Sequence, residues 1–436
     1  MVVAASVPIG TLPPLGVVPP QMHAQVVRQD RLGDPISAFQ PEVIPTPGLR
    51  QGEVLIAVMA AGINFNNVWA ARGVPIDVIA QRQKATGDTD DFHVGGSDAA
   101  GIVYAIGAGV SGVAVGDEVV VHPGWWEPDD PDVTAGPDPM LAPSARIWGY
   151  DWPRNYGSFA QFSIVQAHQL MPKADHLSWE EAAANSLVGT TAYRMLFGWP
   201  PNVVRADDVV LVWGGSGGLG TQAIQLARQA GGIPVAVVSD PQRGAYCESL
   251  GAAGWIDRTE FDHWGIPPHW TDREGQAAWL SGVRAFGKRI WDIVGSKKNP
   301  AIVFEHPGEA TVPTSIVVCD DGGMVVICAG TTGYSASVDL RYHWTRQKRF
   351  QGSHGSNDEQ AYAYNDLVRA GRIDPALGRV LRFDEIPRAH QEMMEGRHGT
   401  GNTAILVGAP EPGLGRRAPT TADVRPGRGE DVAPAS

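Results

Sequence analysis

The chain has 436 residues, 43% of them hydrophobic, and a formal net charge of −13 at pH 7. That length exceeds the usual single-core limit and predicts two domains, while the acidic balance argues against a general nucleic-acid or membrane surface. The three cysteines, Cys247, Cys319 and Cys328, show neither disulfide nor zinc-ligand spacing. With no basic-then-apolar leader and no apolar stretch of bilayer length, a reducing cytoplasm is the expected setting.

In chain order, residues 1–21 are rich in Pro, Val and Gly, lack an amphipathic period and read as a loose arm; the body begins near Met22. From Val54 to Val121 the pattern is strand-like, with turn signals at Gly73, Gly95-Gly96 and Gly107 to Gly109, which predicts a β-rich domain. Strand and helix patterns alternate from Asp207 to Ala329. Asp358 to Ala370 reads as a helix and Thr403 to Val407 as a closing strand. The tail from Pro410 to Ser436, rich in Pro, Gly, Ala and Thr, reads as disordered.

The segment Val209 to Ser239 carries the strongest local signal. A short apolar run, Val209 to Trp213, enters Gly215-x-Gly217-x-x-Gly220 and then a helix with apolar residues at Ala223, Ile224 and Ala227. This is a dinucleotide-binding turn: Gly215 allows the tight bend, Gly217 the approach of a pyrophosphate and Gly220 the packing of helix on strand. The intervening Ser216, Gly218 and Leu219 complete the loop, and the helix N-terminus favours phosphate charge. At the end of the next strand, Ser239 and Arg243 are suited to the 2′-phosphate of NADPH, provided that Asp240 turns to solvent. The alternative for Arg243 is a plain surface position.

A β-rich first part, an inserted nucleotide-binding domain and a return to the first part resemble the medium-chain dehydrogenase/reductase superfamily. Within it, Ile147 to Tyr150, Gly157 to Phe162, Phe304 to Thr311, Met324 to Thr332, and Gln347 to Arg349 followed by Gly352-Ser353-His354 are similar to crotonyl-CoA carboxylase/reductase and related enoyl-CoA reductases. The resemblance spans roughly residues 22–408. It implies an α/β protein with a GroES-like catalytic domain, residues 22–191 and 353–408, and a Rossmann NADPH-binding domain, residues 192–352, flanked by loose termini at 1–21 and 409–436. It also implies hydride transfer from NADPH to the β-carbon of a short α,β-unsaturated acyl-CoA, and a homo-oligomer, dimer or tetramer. Zinc chemistry is not expected, because Ser97-Asp98 stands where zinc alcohol dehydrogenases carry a His-Glu pair and no cysteine precedes Cys247. His122 and His168 are read as surface or hydrogen-bonded structural residues rather than ligands.

The resemblance places Asn66, Tyr150, Asp151 and His354 around the enolate that hydride transfer leaves. In carboxylating relatives that enolate attacks CO2, which must be held by hydrogen bonds to its oxygens with water kept out; in plain reductases it takes a proton. Asp151 replaces a Glu of the family pattern and withdraws the carboxylate by roughly 1.5 Å. Trp152-Pro153-Arg154 lengthen the same loop, and Gly355-Ser356 replace a Phe-Ala pair that walls off water. Both fates of the enolate, and a catalytically silent NADPH-binding scaffold as a third reading, stay open on the sequence. Arg341 and Tyr342 match positions that contact CoA in relatives, within a run of cations and aromatics suited to phosphate pairing and base stacking.

Overall fold

The structure is a computed structural model that describes residues 4–417. Its first half builds a three-stranded sheet from Gln21–Arg28, Gln40–Pro45 and Phe92–Val94, and five strands of a seven-stranded sheet centred on Glu53–Gly62, which Leu377–Arg382 and Asn402–Leu406 complete. Glu53–Gly62 is buried along nearly its whole length because it lies between partners, with Ala99–Ile106 on one side and Phe162–Gln166 on the other. The last strand, Asn402–Leu406, returns to pair antiparallel with Ala60–Gly62.

Between these halves lies a six-stranded parallel sheet from Val209–Trp213 to Arg349–Gly352, with Val209–Trp213 next to both Ile233–Val238 and Ile302–Glu305. All five residues of Val209–Trp213 are buried, as a central parallel strand requires. Their side chains alternate between two cores: Val210 and Val212 join Met59, Ala60 and Ala223, while Val209, Leu211 and Trp213 join Phe286 and Val325. One core therefore spans both domains, which fixes the rim of the parallel sheet against the first domain.

Two expectations need correction. Residues 4–20 are not a loose arm, since Gly10 N–H donates to Val407 O at 2.8 Å, Tyr104 Oη to Pro13 O at 2.8 Å and Gln161 Nε2 to Val7 O at 3.0 Å. Nor is the start of the tail disordered. Glu180 accepts from Gly413 N–H at 2.7 Å, Lys173 Nζ donates to Gly415 O at 2.6 Å, and Arg416 pairs with Glu181. Composition missed both because most of these contacts are made by backbone groups, which carry no side-chain signature. Residues 1–3 and 418–436 lie outside the described residues.

Candidate active site

Where the parallel sheet faces the first domain, a cleft of about 530 Å³ opens. The strand Val209–Trp213 delivers the chain to a turn held by backbone bonds, with Gly215 N–H donating to Val237 O of the neighbouring strand at 3.2 Å and Gly217 N–H to Gly214 O at 3.0 Å. A Cβ on Gly220 would overlap Gly214 O and Gly215 Cα, so only glycine lets the helix Gly218–Gln229 seat there. Gly214, Gly217, Gly218, Leu219 and Gly220 line the cleft, whereas Gly215 and Ser216 lie behind it. The helix N-terminus thus points unpaired N–H groups at the space a pyrophosphate needs.

Behind the loop, Arg243 is held from three sides. Its Nη1 donates to Ser216 Oγ at 3.2 Å, its Nη2 to His398 O at 3.0 Å, and its Nε pairs with Asp240 Oδ2 at 3.1 Å. Asp240 has its side chain 43% exposed but also tied to the helix Pro241–Ser249, where its Oδ1 accepts from Arg243 N–H at 2.9 Å as the N-cap bond, which satisfies an otherwise orphan donor. Ser239 Oγ leans on the same carboxylate at 3.4 Å. The glycine loop also meets the returning chain, since Gly401 N–H donates to Ser216 O at 2.8 Å. His398, Gly401 and Asn402 all line the cleft, and no local pattern in the sequence marks them.

The other end of the cleft is lined by Asn64, Phe65, Asn66, Ile147, Tyr150, Leu187, His354 and Gly355. Asn66 opens the helix Asn66–Arg72, and its Nδ2 donates to Ser97 Oγ at 2.8 Å. Asn64 Nδ2 donates to Asp98 Oδ2 at 2.6 Å, and Leu187 N–H donates to Asp98 Oδ1. Burial pushes the Asp98 carboxyl up to about 7, against the pull of those two donors. Tyr150 is buried, and desolvation raises its phenol well above the ordinary value, so it keeps its proton. His354, just beyond the strand Arg349–Gly352, is depressed by desolvation and pulled back up by the Asp151 carboxylate. His306 lines the wall with Nε2 donating to Trp213 O at 3.0 Å, and burial lowers it to about 4, so it is neutral.

Residues 50–175 match the alcohol dehydrogenase GroES-like domain and residues 218–370 the zinc-binding dehydrogenase family. The chain is 49% identical over 406 residues to a crotonyl-CoA carboxylase/reductase of Cereibacter sphaeroides, covering 93% of this chain and 92% of that one. It belongs to the crotonyl-CoA carboxylase/reductase family. A crotonyl-CoA reductase of Streptomyces collinus is 39% identical over 91% of this chain and 87% of its own. Among solved structures, crotonyl-CoA carboxylase/reductase AntE in complex with NADP superposes with a TM-score of 0.89 at 52% identity, covering 93% of this chain and all of that one. The 2-octenoyl-CoA carboxylase reductase CinF in complex with NADP and 2-octenoyl-CoA gives 0.84 at 37% identity, covering 92% and 90%.

Against this family pattern, the departures at Asp151 and Gly355 acquire a physical form. Asp151 does not line the cleft: its Oδ1 accepts from Ile147 N–H at 2.8 Å, bracing its own loop, and it acts on His354 through charge. The inserted residues anchor that loop, with Trp152 buried beside Trp125 and Trp148, and Arg154 paired to Glu53 at 2.6 Å. Gly355 has φ +59, and a Cβ there would meet Ile147 Cδ1 at 2.8 Å and Met140 Cε at 2.9 Å. Aliphatic and thioether groups therefore crowd the position where a side chain at 355 would begin, while Gly355 and Ile147 themselves line the cleft.

Arg341 and Tyr342 do not line the cleft. Arg341 forms a bidentate pair with Asp339 on an exposed turn, while Tyr342 packs beneath it on the core of the parallel sheet. His122 and His168 converge on Asp358, with the three donor atoms within 4.8 Å of one another. His122 Nε2 and His168 Nδ1 meet Asp358 Oδ1 at 2.9 and 2.8 Å, and His168 Nε2 meets Gln166 Oε1 at 2.6 Å. This cluster ties the helix Asp358–Arg369 to the first domain, and none of its residues lines the cleft.

Proposed function

We propose that this protein reduces a short α,β-unsaturated acyl-CoA with NADPH and adds CO2 to the resulting enolate, in line with its crotonyl-CoA carboxylase/reductase relatives. The observation that carries the reading is the cleft itself. Its glycine loop and helix N-terminus fit a dinucleotide at one end, and its other end sets Asn66, Tyr150 and His354 in an apolar wall of Ile147, Phe65 and Leu187. When bound, NADPH supplies the hydride. Gly217 to Gly220 would hold the pyrophosphate, and Arg243 with Ser239 the 2′-phosphate, with Arg243 already braced in a charged and hydrogen-bonded cradle.

At the reaction end the chain's own groups bind, orient and exclude water. Asn66 has an amide N–H for an oxygen of CO2, Tyr150 keeps a protonated hydroxyl, and neutral His354 offers a ring nitrogen at the cleft mouth. The apolar lining that Ile147, Phe65 and Leu187 give this end of the cleft supports carboxylation over protonation, because it disfavours water, the competing proton source. Arg341 and Tyr342 are proposed to meet the CoA moiety outside the cleft, and a homo-oligomer remains the expected assembly.

Assays with crotonyl-CoA and NADPH, with and without bicarbonate, test the reading. A carboxylated product at high bicarbonate is expected; butyryl-CoA alone at saturating bicarbonate overturns it in favour of plain reduction, and a preference for NADH overturns the cofactor assignment. His354→Ala is expected to lower CO2 capture by about tenfold more than it lowers NADPH oxidation. Equal loss of both products would refute that division of roles.

A further inference from the structure

Asn66 enters the cleft with half of its amide already committed. The turn at Gly95-Gly96 brings a backbone N–H onto the neighbouring Asn67, and a Cβ on Gly95 would overlap the Asn67 amide. Gly96 N–H donates to Asn67 Oδ1 at 2.9 Å. A backbone N–H can only donate, so the oxygen end of Asn67 is identified and its nitrogen end is turned the other way. Asn67 Nδ2 then donates to Asn66 Oδ1 at 3.0 Å, and Asn66 Nδ2 donates to Ser97 Oγ at 2.8 Å. The result is a one-way relay, Gly96 to Asn67 to Asn66 to Ser97, whose direction is set by the main chain.

A carboxamide offers two N–H groups and two oxygen lone pairs. The relay consumes one of each on Asn66 and leaves one N–H and one lone pair. The distinction matters because the two molecules that compete for the enolate differ in hydrogen bonding. The oxygens of CO2 only accept, so CO2 gains from an N–H and is repelled by a lone pair. Water both donates and accepts, and binds either end equally well. An amide free to flip would favour water half the time; an amide of fixed polarity does not. Asn67 and Ser97 are fully buried, so no solvent is at hand to replace a lost partner.

We propose that Asn67 and Ser97 are positioning residues that fix the polarity of the Asn66 amide and thereby set the division of the enolate between CO2 and a proton. The inference rests on the role given to Asn66 above. The test is the ratio of carboxylated to simply reduced product at limiting bicarbonate, measured with NADPH oxidation and thermal melting. Asn67→Asp keeps the acceptor for Gly96 but has no N–H for Asn66, and Ser97→Ala removes the terminal acceptor. Each is expected to lower the ratio by about tenfold, through a higher KM for CO2 rather than a lower kcat for NADPH oxidation. If oxidation and melting fall while the ratio stays at that of the unmodified enzyme, the two residues are merely structural and the proposal is overturned. Should Asn67→Asp fail to fold, Ser97→Ala, which deletes a single oxygen, decides alone. Asn66→Ala separates the two levels of failure: an unchanged ratio refutes the role of Asn66 itself, whereas a lowered ratio there, with no change in the other two variants, refutes only the relay.

Discussion

Asp98 holds a carboxyl where no water reaches, between the Asn64 amide and the Leu187 N–H. With its folded value at about 7 and its ordinary value at 3.8, the folded chain keeps a proton between pH 4 and 7 that the unfolded chain has released. Its contribution to stability is therefore whole below about pH 4 and is lost as pH rises toward 7, by roughly 4 kcal/mol. Urea unfolding across that window should show a stability difference between the native protein and Asp98→Asn that falls with pH; a flat difference would show that Asp98 stays ionised in the fold. Asn66 and His354 were legible in the sequence because each sits in an unusual word shared with a family. Ser97 and Asp98 were visible only as a missing metal pair and Asn67 carried no signal of its own, since their work is done by contacts across a turn. Arg243 was legible as a cation near the loop, but its hold on His398 was not, because nothing local links two residues so far apart in the chain.

The loop from Ile147 to Asn155 and the turn at Gly355 form one device. From the sequence, the loop extension and the lost aromatic residue look like two separate weaknesses; in three dimensions Trp152 and Arg154 pin the loop, and Ile147 reaches Gly355. Patterning alone could not show this crowding, because Met140 comes from a different turn of chain. Restoring an aromatic by Gly355→Phe should therefore fail. The position needs a left-handed backbone and has no free volume toward Ile147 and Met140, so a cost of about 2–4 kcal/mol is expected. Denaturant melts would record it, and a variant as stable as the parent would disprove the crowding at this position. Asp358–Arg369 was readable because burial of one face imposes a helical period, and Val209–Trp213 because burial on both faces imposes a short continuous apolar run. The short irregular pieces had no period to read.

At the scale of the molecule, residues 4–20 and 410–417, the described parts of the two segments read as loose, are structural. Residues 410–417 cover Trp179 and cap Lys173 and Glu180, all three buried. A chain ending at Gly408 should lose about 3 kcal/mol, since it exposes an aromatic and strands a buried cation, and calorimetry should record a fall of a few degrees. An unchanged transition would mean that the tail only rests on the surface. The doubling back of the chain also bears on how the molecule is made. The edge of Ala60–Gly62 waits for Ala404–Leu406, so during synthesis that strand stays open until nearly the whole chain has left the ribosome. The parallel sheet between them, whose neighbours in space are closer in sequence, can close first. The first domain to begin is thus the last to finish, and its central strand is where a stalled or shortened chain would be prone to pair with another copy.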